Sequence, residues 1–250
     1  MCGFYSRDEI GRDDFIKIYG VANPDKALIE ARYNIRPKTV NVVVTRNSPN
    51  QAEPMLWWYH PGWDGFPENR GVINARIESL KENKSYFKKA FLSQRCLIPA
   101  SHWIEWKELQ GVKIPHAFRL KSRKFFAFAG LWNEFTDTRG KQVKGYCIIT
   151  TTPNALAEKI HNRQPAVLRE KDQNSWLDPD EKDIVSLLSY LEVYPADDME
   201  IYPVAKDLSE NSPKILKPIS KVELNAEISS KTKPHKKARI KISIDQGTLI

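Results

Sequence analysis

The second residue of the chain is a cysteine, and its chemistry depends on the methionine in front of it. A side chain this small allows an initiator Met to be removed, and the mature chain then begins with a 1,2-aminothiol. The α-amine titrates at about 7.7–8.0 and the thiol at about 8.5, so each is partly nucleophilic at neutral pH. With an aldehyde, the amine forms an imine and the thiol closes a five-membered thiazolidine on it. With an amide, the thiolate attacks the carbonyl while the amine serves as its base. A third reading gives Cys2 no chemistry and leaves it in a frayed terminus.

Four further segments carry groups that suit such chemistry. In VINARIE, Asn74 and Arg76 are two apart, so a strand turns both to one surface: an amide to orient a reactant and a guanidinium to hold a phosphate. The plain alternative is a polar strand end. Glu105 stands between Ile104 and Trp106, where desolvation would raise its pKa toward the range of a general acid or base, or where it would be a buried structural ion-pair partner. His161 and Arg163 stand in KIHNRQPAVL, the first able to protonate a sugar oxygen, the second able to bind phosphate. A helix-capping His is the competing role there. His102, beside Trp103, has the weaker claim and reads as a packing residue.

Aromatic and wedge residues come next. MLWWYHPGW holds Trp57, Trp58, Tyr59 and Trp63; at least one Trp belongs to a core, and exposed ones are platforms for unpaired bases. Pro37 and Lys38 in YNIRPKT sit at a strand boundary, where the Pro wedges between bases or simply ends the run.

These groups need a scaffold. Strand-sized apolar runs cover Val40–Thr45, Cys96–Trp106, Ala117–Lys121, Phe125–Trp132 and Tyr146–Thr151. Helical spacing or caps mark Arg12–Tyr19, Ser85–Gln94, Asn154–His161 and Asp180–Leu191. The mixture predicts an α+β fold, a single domain with a curved, barrel-like antiparallel β-sheet flanked by short helices. No linker or repeat interrupts residues 1–222. Residues 223–250 read as a lysine-rich, disordered tail, with a non-specific arm on a nucleic-acid backbone, or an edge strand through Ile240, Ile242 and Ile244, as alternatives.

Composition narrows the class. The 250 residues carry a net charge of +8, of which Ala226–Ile250 hold +4, and a basic body favours a polyanionic partner. No run nears the roughly 18 apolar residues of a membrane span, and the N-terminus lacks a signal-peptide pattern. Three cysteines without CxxC spacing argue against a disulfide framework or a thiolate zinc site. A cytoplasmic protein, nucleoid-associated if bacterial, is expected, with no membrane partner, no metal and no cofactor.

Taken together, MCG, YNIRP, MLWWYHPGW, INAR, RCLIPASHWIEWK, TTPNA, HNRQPAVL, WLD and YPVAKDLSENSPKILKPI occur in an order that resembles the SOS response-associated peptidase family, the abasic-site processing proteins. The resemblance runs from Met1 to about Ile219. It implies a monomer that binds single-stranded DNA containing abasic sites and joins Cys2 to the ring-opened aldehyde as a thiazolidine, shielding the lesion. It implies that Asn74 orients Cys2, that Glu105 manages protons at the amine, and that His161 protonates the sugar oxygen. Arg76 and Arg163 would bind phosphates, and Trp57, Trp58, Pro37 and Lys38 would line the DNA groove. Peptidase activity would be release of Met1, and a weak AP-lyase activity follows from imine chemistry. The chain departs from the family pattern at Leu56, Trp58, Lys38, Asn162 and Gln164. Two other classes compete: an N-terminal-Cys glutamine amidotransferase, which also begins Met-Cys-Gly, and a non-catalytic ssDNA-binding module.

Overall fold

The fold follows from strands that are buried on both faces. In Val40–Thr45, Val43 packs in one hydrophobic cluster while Val42 and Val44 pack in another; in Arg95–Ala100, Cys96 and Ile98 take the first and Leu97 the second. Alternate side chains point to opposite faces, so a strand sandwiched between two cores reads as an unbroken apolar run. A computed structural model describes residues 2–22, 24–46, 50–61, 70–82, 85–137 and 139–229.

The strands, in chain order, are β1 (Tyr5–Arg7), β2 (Arg32–Ile35), β3 (Val40–Thr45), β4 (Gln51–Leu56), β5 (Asn74–Arg76), β6 (Arg95–Ala100), β7 (His102–Leu109), β8 (Val112–Leu120), β9 (Phe126–Thr136), β10 (Gln142–Thr151), β11 (Gln164–Pro165), β12 (Val167–Leu168) and β13 (Met199–Pro203). Strands β3, β4, β10, β9 and β6 close into a five-stranded barrel, with β5 and β11 added on β10 and β12 on β9. A second sheet runs β13-β8-β7-β1-β2. The expected barrel-like α+β fold is present. It is mixed rather than wholly antiparallel, because β4 and β5 both pair parallel with β10, and Leu56 opposite Gly145 makes the closure. Gly145 has no side chain because a Cβ there would lie 2.2 Å from the Trp58 carbonyl.

The aromatic plug between barrel and second sheet is Trp103, stacked on Phe118 at 4.7 Å and edge-on to Phe126 and Phe128. Outside the barrel, Phe15, Phe91, Leu131, Trp176 and Leu187 form the other large cluster. It lies under α1 (Arg12–Tyr19), α2 (Lys26–Ile29), α3 (Ile77–Leu80), α4 (Lys88–Ser93), α5 (Gln173–Leu177) and α6 (Ile184–Ser189), while α7 (Lys221–Ser229) buries no residue in it. Arg95 is buried there and donates to the carbonyls of Phe91, Trp176, Asp178 and Glu181. One guanidinium thereby satisfies carbonyls at and beyond two helix ends that would otherwise be buried without partners.

Several expected elements change. Cys96–Trp106 is two strands, because the chain passes from one sheet to the other at Ser101, whose amide donates to Ser6 O at 2.8 Å and whose hydroxyl accepts from the Asp8 amide at 3.0 Å. Asn154–His161 is a single 3-10 turn, Ala157–Lys159, with Asn154 Oδ1 accepting from the amides of Leu156 and Ala157. The helices expected over Ser85–Gln94 and Asp180–Leu191 shorten to α4 and α6. Helix α7 crosses the boundary expected at 222 and is held by Lys206, whose Nζ lies 3.0 Å from Glu227 Oε2. Trp63 and residues 230–250, including Ile240, Ile242 and Ile244, lie outside the described residues. The closing segment covers the free edge of β2: Asn211 Oδ1 accepts from the Tyr33 amide and Asn34 donates to Ser209 O. All three cysteines are free and buried, and no helix among the described residues is long and apolar enough to cross a membrane.

Candidate active site

Four of the expected residues converge from four separate segments. Asn74 begins β5, and the carbonyl of the preceding Ile73 accepts from both Trp57 Nε1 at 2.9 Å and the Ile148 amide at 3.0 Å. That double anchor fixes the start of the strand. Asn74 is buried, and its Nδ2 donates to the Cys2 carbonyl at 2.9 Å. Its Oδ1 has no hydrogen-bond partner among the described residues. That leaves an amide acceptor open to a further donor beside the chain's second residue.

Cys2 is 1% exposed and its Sγ donates to Phe4 O at 3.9 Å. Burial pushes its thiol pKa far up, and the negative charge of Glu105 pushes it further, so the thiol is neutral at pH 7. Glu105 is paired across the hairpin with His116 and shares a strand face with Trp103, which carries its carboxyl inward. Burial raises the Glu105 pKa to about 7, partly opposed by the positive charge at the chain's N-terminus.

His161 follows the 3-10 turn. Its Nε2 lies 4.0 Å from Glu105 Oε2. Its Nδ1 lies 3.0 Å from the Arg163 amide and 3.2 Å from the Arg163 carbonyl. The shorter contact requires a bare Nδ1, which puts the neutral ring's proton on Nε2, toward Glu105; a protonated ring would donate to the carbonyl instead. The ring therefore keeps a partner in either state. Burial lowers its pKa, so it is neutral at pH 7, the region in which Glu105 titrates. Glu105 and His161 line an open cleft of about 690 Å³ with Trp106 and Ile160 as apolar wall and Lys113 and Lys206 as cations. A larger cleft, about 800 Å³, lies between Lys17, Asn174 and Tyr194 and contains none of these groups.

The expected phosphate and base contacts divide. Arg76, at the end of β5, is exposed and makes no ion pair among the described residues. Arg163 is engaged: its guanidinium meets both Glu78 oxygens, at 2.7 and 3.0 Å, and the Thr150 carbonyl at 2.6 Å. Trp57 is 0% exposed and stacked on Tyr146, so it is no platform for a base; its indole braces the strand that starts at Asn74. Trp58 is half-buried and faces outward, with Lys38 Nζ 4.7 Å from its ring centroid and Gly71 beneath it. Pro37 is half-buried and Lys38, next to it, takes a left-handed φ of 67°. His102 borders a different cleft, with its pKa lowered to about 4 by burial, as a packing residue's would be.

Two partners were not foreseen. Glu78 follows Arg76 by two residues, and only its own side-chain type marked it; Thr150 contributes a backbone carbonyl, which no sequence pattern reports. Gln164, one of the departures from the family pattern, is buried and its Oε1 accepts from the Asn154 amide at 3.0 Å, steadying the turn before His161.

Comparison with known proteins places the whole site within one matched region. The family model described as SOS response associated peptidase (SRAP) matches residues 1–211. The chain is 39% identical over 210 residues to the abasic site processing protein YoqW of Bacillus subtilis strain 168, covering 81% of this chain and 91% of that one. It is 24% identical over 199 residues to the abasic site processing protein HMCES of Rattus norvegicus, covering 66% of this chain and 56% of that one. A crystal structure of a Bacteroides thetaiotaomicron protein covers 86% of this chain and 100% of its own, with a TM-score of 0.75 at 22% identity, a likeness of fold.

Proposed function

The chain belongs to the SOS response associated peptidase family, and from that membership we propose that it processes abasic sites in DNA by covalent capture at Cys2. The observation that carries the reading is the meeting of Asn74, Glu105 and His161 around the chain's second residue. The relatives are named for abasic-site processing.

The chemistry starts once Met1 is released and the Cys2 nitrogen becomes an amine. Because the thiol is neutral and desolvated, the amine is the first nucleophile. It adds to the C1′ aldehyde of the ring-opened sugar to give a carbinolamine. Loss of the hydroxyl as water gives the imine, and the thiol then adds across C=N, its sulfur to carbon and its proton, by way of Glu105, to nitrogen. The net change is one water lost. Glu105, titrating near 7, takes and returns the protons of the amine. Neutral His161 offers its Nε2–H to the sugar ring oxygen during opening. Asn74 holds the Cys2 carbonyl and turns its open Oδ1 to the new amine hydrogens. Arg76 binds a phosphate of single-stranded DNA, and Trp58 with Lys38 and Pro37 forms the surface for neighbouring bases. On this reading the family's peptidase activity is the release of Met1, and β-elimination from the imine is a slow side reaction. The protein acts as a monomer in the cytoplasm, on the nucleoid in a bacterial cell.

The test is intact mass and a denaturing gel after mixing the protein with a single-stranded oligonucleotide bearing one abasic site. A heat-stable adduct with the mass of Met-less protein plus DNA minus one water is expected, and Cys2→Ala should give none. No adduct from protein verified to lack Met1 overturns the mechanism.

A further inference from the structure

Arg163 follows His161 by two residues and its backbone meets the ring Nδ1, and in the structure its guanidinium is already occupied. Glu78 binds its NH1 and NH2 in the fork geometry that a phosphate would use, at 2.7 and 3.0 Å. The Glu78 side chain is half-exposed, at 52%, while that of Arg163 is only 11% exposed. The hydrogen bond from the Arg163 guanidinium lowers the Glu78 pKa, and the Arg76 charge adds to that. The Arg163 Nε–H has no hydrogen-bond partner among the described residues. Arg163 thus has one anchored side, on Thr150 O, one donor without a partner, and one face closed by a carboxylate that solvent can reach.

We infer that Glu78 is an internal stand-in for DNA phosphate: it holds Arg163 in the unbound protein and gives way to the phosphate of an incoming strand. The exchange swaps one anion for another on a guanidinium that stays in place. It explains how Arg163 stays ordered beside His161 without DNA, and it sets a competition that phosphate must win before the lesion is engaged. Arg76, at the end of β5 and two residues before Glu78, makes no such pair among the described residues and offers the first contact. Glu78 is therefore a positioning residue that tempers affinity for undamaged DNA. This inference rests on the DNA-binding reading above.

A double-mutant cycle tests it, with fluorescence anisotropy on an undamaged oligo(dT) strand and a melting curve for each variant. Glu78→Gln should tighten binding by about two- to fivefold, the range of one partly exposed ion pair. In an Arg163→Gln background the same change should give no gain, because the competition needs the arginine. An equal gain in both backgrounds would mean that Glu78 acts only through bulk charge, and no gain would mean that the pair is static; either overturns the inference. Should Arg163→Gln fail to fold, the Arg163 Nε–H NMR resonance in the unsubstituted protein answers instead: it shifts on addition of oligo(dT) if phosphate replaces Glu78 and stays if it does not. Wild-type protein that forms the abasic adduct yet shows neither effect refutes the stand-in and leaves the proposed function intact. Protein that neither binds oligo(dT) nor forms the adduct refutes both.

Discussion

His161 Nε2 and Glu105 Oε2 face each other across 4.0 Å, one ring nitrogen and one carboxylate oxygen from segments more than fifty residues apart. Burial acts on them in opposite senses, raising the carboxyl to about 7 and lowering the imidazole. Desolvation penalises whichever form is charged, so both tend to neutrality at pH 7. The carboxyl can therefore take up or release a proton near pH 7 while the imidazole beside it stays neutral.

The raised Glu105 pKa couples to stability. The folded protein holds this proton more tightly than the unfolded chain, so the group's contribution is fully present below the ordinary value of 4.5 and is lost as pH rises through about 7. Glu105→Gln removes that loss. Urea unfolding should find the variant more stable than wild type by about 2–3 kcal/mol at pH 8 and little different near pH 4.5. Equal stabilities at pH 8 would place the carboxyl in a wetter setting.

His161→Ala should slow adduct formation at least about a hundredfold, the lower range for loss of a general acid, and leave affinity for undamaged single strands nearly unchanged. Single-turnover gels and anisotropy separate the two. Equal losses in both would make the histidine structural.

Arg76→Ala should weaken binding alike on every sequence and reduce the slope of log K against log salt by about 0.7, one phosphate on a single strand. A salt titration on two unrelated oligonucleotides reads it. An unchanged slope would move Arg76 out of the DNA path.

The neighbouring tryptophans should separate cleanly. Trp57→Ala empties a site that is 0% exposed and removes one of the two donors to the Ile73 carbonyl, and should cost about 3–5 kcal/mol in urea unfolding. Trp58→Ala should leave stability within about 1 kcal/mol but weaken single-strand binding by about 1–3 kcal/mol if a base stacks there. The reverse pattern would exchange their roles.

Much of this protein is legible in its sequence because some signals are local. Val40–Thr45 and Arg12–Tyr19 form over the residues expected, the first from a continuous apolar run, the second from acidic residues at its start and Gly20 in a left-handed conformation after its end. The four candidate site residues could likewise be picked out by type and surroundings: a cysteine at position 2, an amide two residues before a guanidinium, a carboxyl between Ile104 and Trp106 and an imidazole in KIHNRQP. Where local signals are weak, the reading fails. Ser101 splits a uniform apolar run, because its turn is made by hydrogen bonds to Ser6 and Asp8 some ninety residues away.

By itself, then, the sequence determined which groups could react and which runs must be buried, since side-chain chemistry and hydrophobic period are properties of a residue and its near neighbours. Only the tertiary structure decided who meets whom. Barrel closure at Leu56 and Gly145 and the parallel seat of β5 on β10 bring Asn74 to Cys2. The same closure turns Trp57 inward and Trp58 outward, and sets Glu78 against Arg163. Those pairings span tens of residues or more, and their burial, charge and open valences arise only when the sheets close around them.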